Sequence, residues 1–280
     1  MHDAVFHLRD VVKSRPGADR FRLVIERFTL RRGEAVALVG QSGCGKSTAL
    51  DLLSCALRPD DGGGEFTFSP TEDKKADVLK SWAAGGINAL ADLRMRYLGY
   101  VLQTGGLLPF LTAADNILLA CKTLNCVHSR VQAIRDMVGA GSLGIEEQLR
   151  KYPSQLSVGQ RQRVAIAKAL AHDPTVVLAD EPTAALDPEH SRLVMSLFLD
   201  LARTQGSTVV MVSHDQDLAA ELGFTLVPVT VRSGEDGVTA TIHYEGAPEA
   251  ESDDATDTEP GAEPDGEEES APIPGTEEEQ

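Results

Sequence analysis

The sequence predicts an α/β protein built on a parallel sheet with crossover helices, and three observations carry that prediction. Short apolar runs end at glycine or at polar residues: "AVALVG" (35–40), "TVVLAD" (175–180) and "STVVMVSH" (207–214). Stretches with helical apolar spacing follow two of them, "KSTALDLLSCAL" (46–57) and "PEHSRLVMSLFLDLART" (188–204). Buried strands alternating with amphipathic helices are the pattern of βαβ units. The third observation is size, since 280 residues suffice for one large domain or two modest ones with a sizeable core.

The elements follow in chain order. "AVFHLRDVV" (4–12) and "FRLVIERFTL" (21–30) read as strands joined by a Pro-Gly turn. After the 35–40 strand, the helix over 46–57 is closed by Pro59 and the Asp/Gly cluster 60–64. "GEFTFSP" (64–70) is a further strand, and the mixed stretch 71–97 is expected to hold a helix around "INALADLRMR". "YLGYVLQ" (97–103) reads as a strand, and residues 107–153 as several short helices broken at Pro109, Gly139, Gly141, Gly144 and Pro153. "VGQRQRVAIAKALA" (158–171) is helical, and "TLVPVTV" and "VTATIHY" flank "RSGEDG" as a hairpin.

Charge is unevenly placed. Of the net charge of −17, fourteen carboxylates and no lysine or arginine fall in residues 246–280, which leaves the remainder near −3. That tail of Pro, Gly, Glu and Asp has too few apolar residues to bury and is expected to be disordered, with the folded domain over residues 1–245. A nearly neutral body gives no support to nucleic acid as a partner, because phosphate neutralisation needs a basic face. Four scattered cysteines (Cys44, Cys55, Cys121, Cys126) make neither a disulfide framework nor a zinc site. The N-terminal stretch lacks the pattern of a signal peptide, and no run is apolar enough to span a bilayer. A cytoplasmic location is the expectation.

The chemistry begins with "GQSGCGKS". Gly40, Gln41, Ser42, Gly43, Cys44, Gly45, Lys46 and Ser47 fit G-x-x-x-x-G-K-S/T between an apolar strand and a helix, the context that gives this motif meaning. Glycines let successive amides wrap a phosphate, and the following helix adds roughly half a positive charge at its start. Lys46 would reach the β- and γ-phosphates, Ser47 would ligate Mg²⁺ and Thr48 could donate to the α-phosphate. The strand "VVLAD" delivers Asp180 to hold the metal through water and Glu181 to polarise an attacking water. Gln103 and His214 end two further strands, so that Gly40, Asp180, Gln103 and His214 converge where ligands collect in such sheets. "LSVGQ" (156–160) then stands out. It is a donor-rich helix start, yet this chain's phosphate is already held by its own loop. The spare site is expected to serve the γ-phosphate of a second copy, giving a dimer with two ATP molecules sandwiched between the subunits.

Taken together, "GQSGCGKS", Gln103, "LSVGQ", "VVLADEP", "ALD" (185–187) and His214 resemble, in order, the motifs of ABC-transporter ATPase subunits across about residues 4–230. The resemblance implies a P-loop NTPase with a RecA-like core, an ABC β-subdomain from the early strands and an inserted α-helical signature subdomain at about 107–155. It also implies ATP hydrolysis that powers transport, with ATP and Mg²⁺ as cofactors. Ser157, Gly159 and Gln160 would contact ATP in trans and Asp187 would bridge the subunits. Gln103, besides serving the metal and the catalytic site, would link it to an integral membrane permease, which would hold the subunit at the cytoplasmic face. "RYLGYVLQTGGLLPFLTAADNILL" and "RQRVAIAKALAHDPTVVLADEPTAALD" look like the lipoprotein-release and macrolide-export branch. The alternative is an ATP-driven mechanical switch of the cell-division type, regulating an extracytoplasmic enzyme without transport. Two departures stand out: Val158 replaces the first glycine of the signature, and Arg15 stands where the family stacks an aromatic on adenine, so that either the Arg15 guanidinium or Phe21 as a substitute would meet the base.

Overall fold

A computed structural model describes residues 4–15, 21–234 and 237–246. The Pro-Gly turn and the acidic tail from residue 247 lie outside the described residues. The chain opens with β1 (Ala4–Arg15) and β2 (Phe21–Arg31), an antiparallel pair in which Val11 faces Ile25. β3 (Ala35–Val39) is followed by the phosphate-loop motif and α1 (Lys46–Leu53). β4 (Glu65–Thr71) and β5 (Lys74–Asp77) form a second antiparallel arm, then α2 (Val78–Ala83) and α3 (Ile87–Tyr97) lead into β6 (Leu98–Val101). α4 (Ala113–Thr123), α5 (Val127–Val138) and two single 3-10 turns precede α6 (Val158–Leu170). The remainder alternates: β7 (Val176–Asp180), α7 (Pro188–Gln205), β8 (Thr208–Val212), α8 (Gln216–Leu222), β9 (Thr225–Gly234) and β10 (Gly237–Glu245).

Among the described residues, ten strands lie in the order β5-β4-β1-β2-β10-β9-β3-β8-β7-β6. From β9 to β6 every neighbouring pair is parallel, and residues of β3, β7 and β8 are buried almost throughout. Strands buried on both faces read as continuous apolar runs, which is why "VVLA" and "TVVMV" do not alternate. The early strands do alternate, because they meet the core on one face only, where Phe6 stacks on Phe68 at 4.8 Å between ring centroids. One apolar cluster underlies the early strands and α1, and a second joins α4, α5, α6 and α7 to the parallel strands.

Three features differ from the sequence expectation. The first helix stops at Leu53, well before Pro59, because Cys55 turns left-handed at φ 57° and Ser54 Oγ donates back to the Asp51 carbonyl at 2.8 Å. β5 and α2 occupy the stretch read as mixed, the helix being started by Asp77, whose carboxylate accepts from the Lys80 amide. The C-terminal hairpin also does more than close on itself: β10 pairs parallel with β2 and antiparallel with β9, joining the antiparallel arm to the parallel sheet. No helix of the described residues is long and apolar enough to cross a membrane.

Candidate functional site

The parallel strands fix the site, because loops leaving the C-terminal ends of β3, β6, β7 and β8 meet on one edge of the sheet. Leaving β3, the chain passes through Gly40–Gly45 and enters α1 at Lys46. Gly45 sits at φ 99°, and a Cβ there would come 2.6 Å from the Phe21 ring, so both backbone shape and space require glycine. Cys44 is buried inside the loop, its sulfur 3.8 Å from Lys46 Nζ. The Lys46 ammonium lies in the concavity of the loop, donating to the carbonyls of Gly40 (2.9 Å) and Gln41 (2.8 Å).

Beside the loop, Ser47 Oγ donates to Asp180 Oδ1 at 3.1 Å. Asp180 ends β7 and is only 8% exposed. Burial raises its pKa, and the neighbouring Glu181 carboxylate adds to the shift, while the Ser47 bond and Lys46 work against it. The carboxylate and the hydroxyl together are two hard oxygen donors, the ligand type that Mg²⁺ takes.

Glu181 follows in a left-handed conformation at φ 48°, unusual for a residue with a Cβ, held by its amide donating to the Val212 carbonyl of β8. That turn aims the carboxylate into the loop edge. Its Oε2 accepts from Gln103 Nε2 at 2.9 Å, and its Oε1 lies 2.5 Å from His214 Nε2. Residues just past the ends of β6 and β8 thereby meet at the carboxylate of the residue just past β7. The cavity over the loop, about 370 Å³, is lined by Arg15, Phe21, Lys46, Ser47, Gln103 and Glu181 among others. Ser42, Gly43, Gly45 and Thr48 complete its floor.

Ser157, Gly159, Gln160 and Asp187 do not line this cavity. Ser157 is the N-cap of α6 in a reciprocal capping box: its Oγ accepts from the Gln160 amide at 3.2 Å, and Gln160 Oε1 accepts from the Ser157 amide at 3.0 Å. Val158 is helical and 58% exposed, so the amides of Val158 and Gly159 sit in the first turn with no acceptor inside the helix. A Cβ on Gly159 would lie 3.4 Å from the Ala185 carbonyl, which brings the signature beside the segment leading to Asp187. Asp187 caps α7, accepting from the His190 amide at 3.0 Å and pairing with His190 Nδ1 at 2.7 Å.

Two residues that sequence reasoning missed support the site from behind. Tyr100 of β6 donates its hydroxyl to Asp51 Oδ1 at 3.0 Å, and Asp51 Oδ2 lies 3.9 Å from Arg15 at the cavity mouth. The available signal was Asp51 four residues after Ser47, hence on the same face of α1. Of the two candidates for the base, Phe21 is pressed onto Gly45, whereas the Arg15 side chain is about half exposed at the mouth.

A family model described as "ABC transporter" matches residues 26–184. The ABC transporter ATP-binding protein YvrO of Bacillus subtilis (strain 168), itself described as uncharacterized, is 39% identical over 208 residues, covering 74% of this chain and 84% of its own length. The lipoprotein-releasing system ATP-binding protein LolD of Idiomarina loihiensis is 37% identical, covering 79% of this chain and 93% of its own. The macrolide export ATP-binding/permease protein MacB of Pasteurella multocida (strain Pm70) is 36% identical over 89% of this chain, which spans only 37% of that protein. Among solved structures, a dimeric post-hydrolysis state of the ATP-binding cassette MJ0796 bound to ADP and Pi matches with a TM-score of 0.66 at 30% identity, covering 86% of this chain and 97% of that one.

Proposed function

This chain belongs to the ABC transporter ATP-binding family, and from that premise we propose that it powers a lipoprotein-release or macrolide-export type system by hydrolysing ATP between two copies of itself, docked on a membrane permease. The observation that carries the reading is the Glu181 carboxylate, held between Gln103 and His214 beside the Ser47–Asp180 pair. ATP binding and ATPase activity come with the family. The residue roles, the metal, the partner and the cargo class are the proposal. Support for the cargo class comes from the kinship with LolD and MacB.

In this mechanism the loop amides and Lys46 grip the β- and γ-phosphates, and the N-terminus of α1 adds its partial charge. Ser47, Asp180 and Gln103 would hold Mg²⁺, which would supply neutralisation of phosphate charge. Glu181 accepts a proton from the water aimed at the γ-phosphate, and His214 keeps its carboxylate oriented. Charge spreading over the transferred phosphoryl oxygens is met by Lys46 and by donors from the second subunit. Those donors are the Ser157 hydroxyl and the free first-turn amides of α6, with Gln160 supporting the cap. Val158 supplies its amide as glycine would, because its φ is helical.

Size-exclusion chromatography with light scattering tests the arrangement on the Glu181→Gln protein. We expect a monomer that becomes a dimer on adding Mg-ATP; a monomer in both conditions, with ATP demonstrably bound, overturns the two-subunit site.

Base recognition makes a smaller prediction. A half-exposed guanidinium stacked on adenine contributes about 0.5–1 kcal/mol. Arg15→Ala is therefore expected to weaken ATP binding only about two- to fivefold, and Arg15→Tyr to restore or exceed wild-type affinity. A fluorescent-nucleotide titration reads this, and unchanged affinity in both variants would remove Arg15 from base recognition.

A further inference from the structure

We propose that Lys168 is a positioning residue that ties the loop carrying Gln103 to α6, so that contact at the Ser157 end of that helix is registered at Glu181. The inference rests on the reading above, in which Ser157 meets a nucleotide held by the other subunit. Lys168 lies two residues before the end of α6, and its Nζ donates to the Gly106 carbonyl at 2.7 Å. Among the described residues no carboxylate is in ion-pair range of it, and burial pushes its ammonium below the usual lysine range. Keeping a half-buried cation on one carbonyl is unfavourable where a plain apolar side chain could fill the same space.

The loop lies along one face of the helix. A Cβ on Gly105 would sit 3.7 Å from Ala165 Cβ and 3.9 Å from the Arg161 carbonyl. Arg161, Ala165 and Lys168 follow the i, i+4, i+7 spacing of a single helical stripe. Gly105 and Gly106 are both left-handed, at φ 78° and 58°, which turns their backbone flush against that stripe. Farther along, the buried Asn116 of α4 fixes the same segment, accepting from the Leu108 amide and donating to the carbonyls of Leu108, Leu111 and Thr112. At 1.5 Å per residue, Lys168 and Ser157 stand about 16 Å apart on one rigid rod. A shift of α6 at its cap is carried by Lys168 to Gly106, three residues from Gln103, whose amide touches Glu181.

The 280-residue chain is tested as Lys168→Met, which keeps the aliphatic stem, with Lys168→Arg as the conservative variant. We expect kcat of Lys168→Met to fall about tenfold, with KM and the melting temperature close to wild type, and Lys168→Arg to recover most of the rate. In the Glu181→Gln background, Lys168→Met is expected to leave the ATP-driven dimer in place, since it touches neither Ser157 nor the phosphate loop. An unchanged kcat with the dimer intact overturns this inference alone. So does a joint loss of kcat, ATP affinity and melting temperature, which marks a residue needed only for folding. A Glu181→Gln protein that stays monomeric with Mg-ATP overturns the two-subunit reading and this inference with it.

Discussion

Steady-state ATP hydrolysis by the Glu181→Gln protein is expected to fall by roughly 10²–10⁴-fold, the usual range for losing a positioned general base, while ATP binding is retained. The substitution preserves shape. The amide still fits the left-handed turn after β7 and can still bond to Gln103 and His214, so what disappears is the ability to take a proton. Wild-type Glu181 keeps its carboxylate oxygens on two donors, at 2.9 Å and 2.5 Å, which fixes the orientation before any water arrives. Pre-set geometry of that kind is what separates a base that works from one that must first be ordered. Phosphate release and a nucleotide titration on the same preparation decide the matter. Hydrolysis at the wild-type rate would reassign the base, and loss of binding would make Glu181 part of the phosphate grip.

How far this was legible in the sequence depended on whether a signal was local. The phosphate loop, Asp180, Glu181 and the cap at Ser157 all follow from short motifs whose physics is contained in a strand end or a helix start. The parallel strands were legible because burial on both faces leaves an unbroken apolar run. What local pattern could not supply was pairing across the chain. β10 reads as half of a hairpin, yet its parallel partner β2 lies about two hundred residues away, and nothing in "VTATIHY" specifies it. The early end of α1 escaped for a different reason. A non-glycine residue, Cys55, adopts the left-handed turn that Gly or Pro normally announces. Lys168 was hidden in a run of helix formers, where a lysine usually means a solvated face; only the path of the Gln103 loop turns it inward. Asn116 is similar, a polar residue at a core position, informative only once its four loop bonds are seen.

Replacing Lys46 with alanine is expected to weaken ATP binding about 10–100-fold, the range for a charge-assisted hydrogen bond worth roughly 1.5–3 kcal/mol, and to abolish turnover at ordinary ATP concentrations. Lys46 is 5% exposed, so its charge acts in a shielded site where a phosphate is attracted more strongly than in water. Among the described residues its ammonium donates to two loop carbonyls and lies near the Cys44 sulfur. A bound phosphate would exchange neutral acceptors for an anionic one, a net gain in charge pairing without moving a long exposed side chain. Alanine removes that gain but leaves the Gly45 turn, the Phe21 contact and the base region unchanged. Affinity for adenosine should therefore match wild type while affinity for ATP drops, and the melting temperature without nucleotide should move little. Equal losses for adenosine and ATP would mean that the loop had collapsed. Equal retention of both would mean that the backbone amides and the α1 terminus hold the phosphates unaided, and Lys46 would then belong to the transition state alone, its loss confined to kcat.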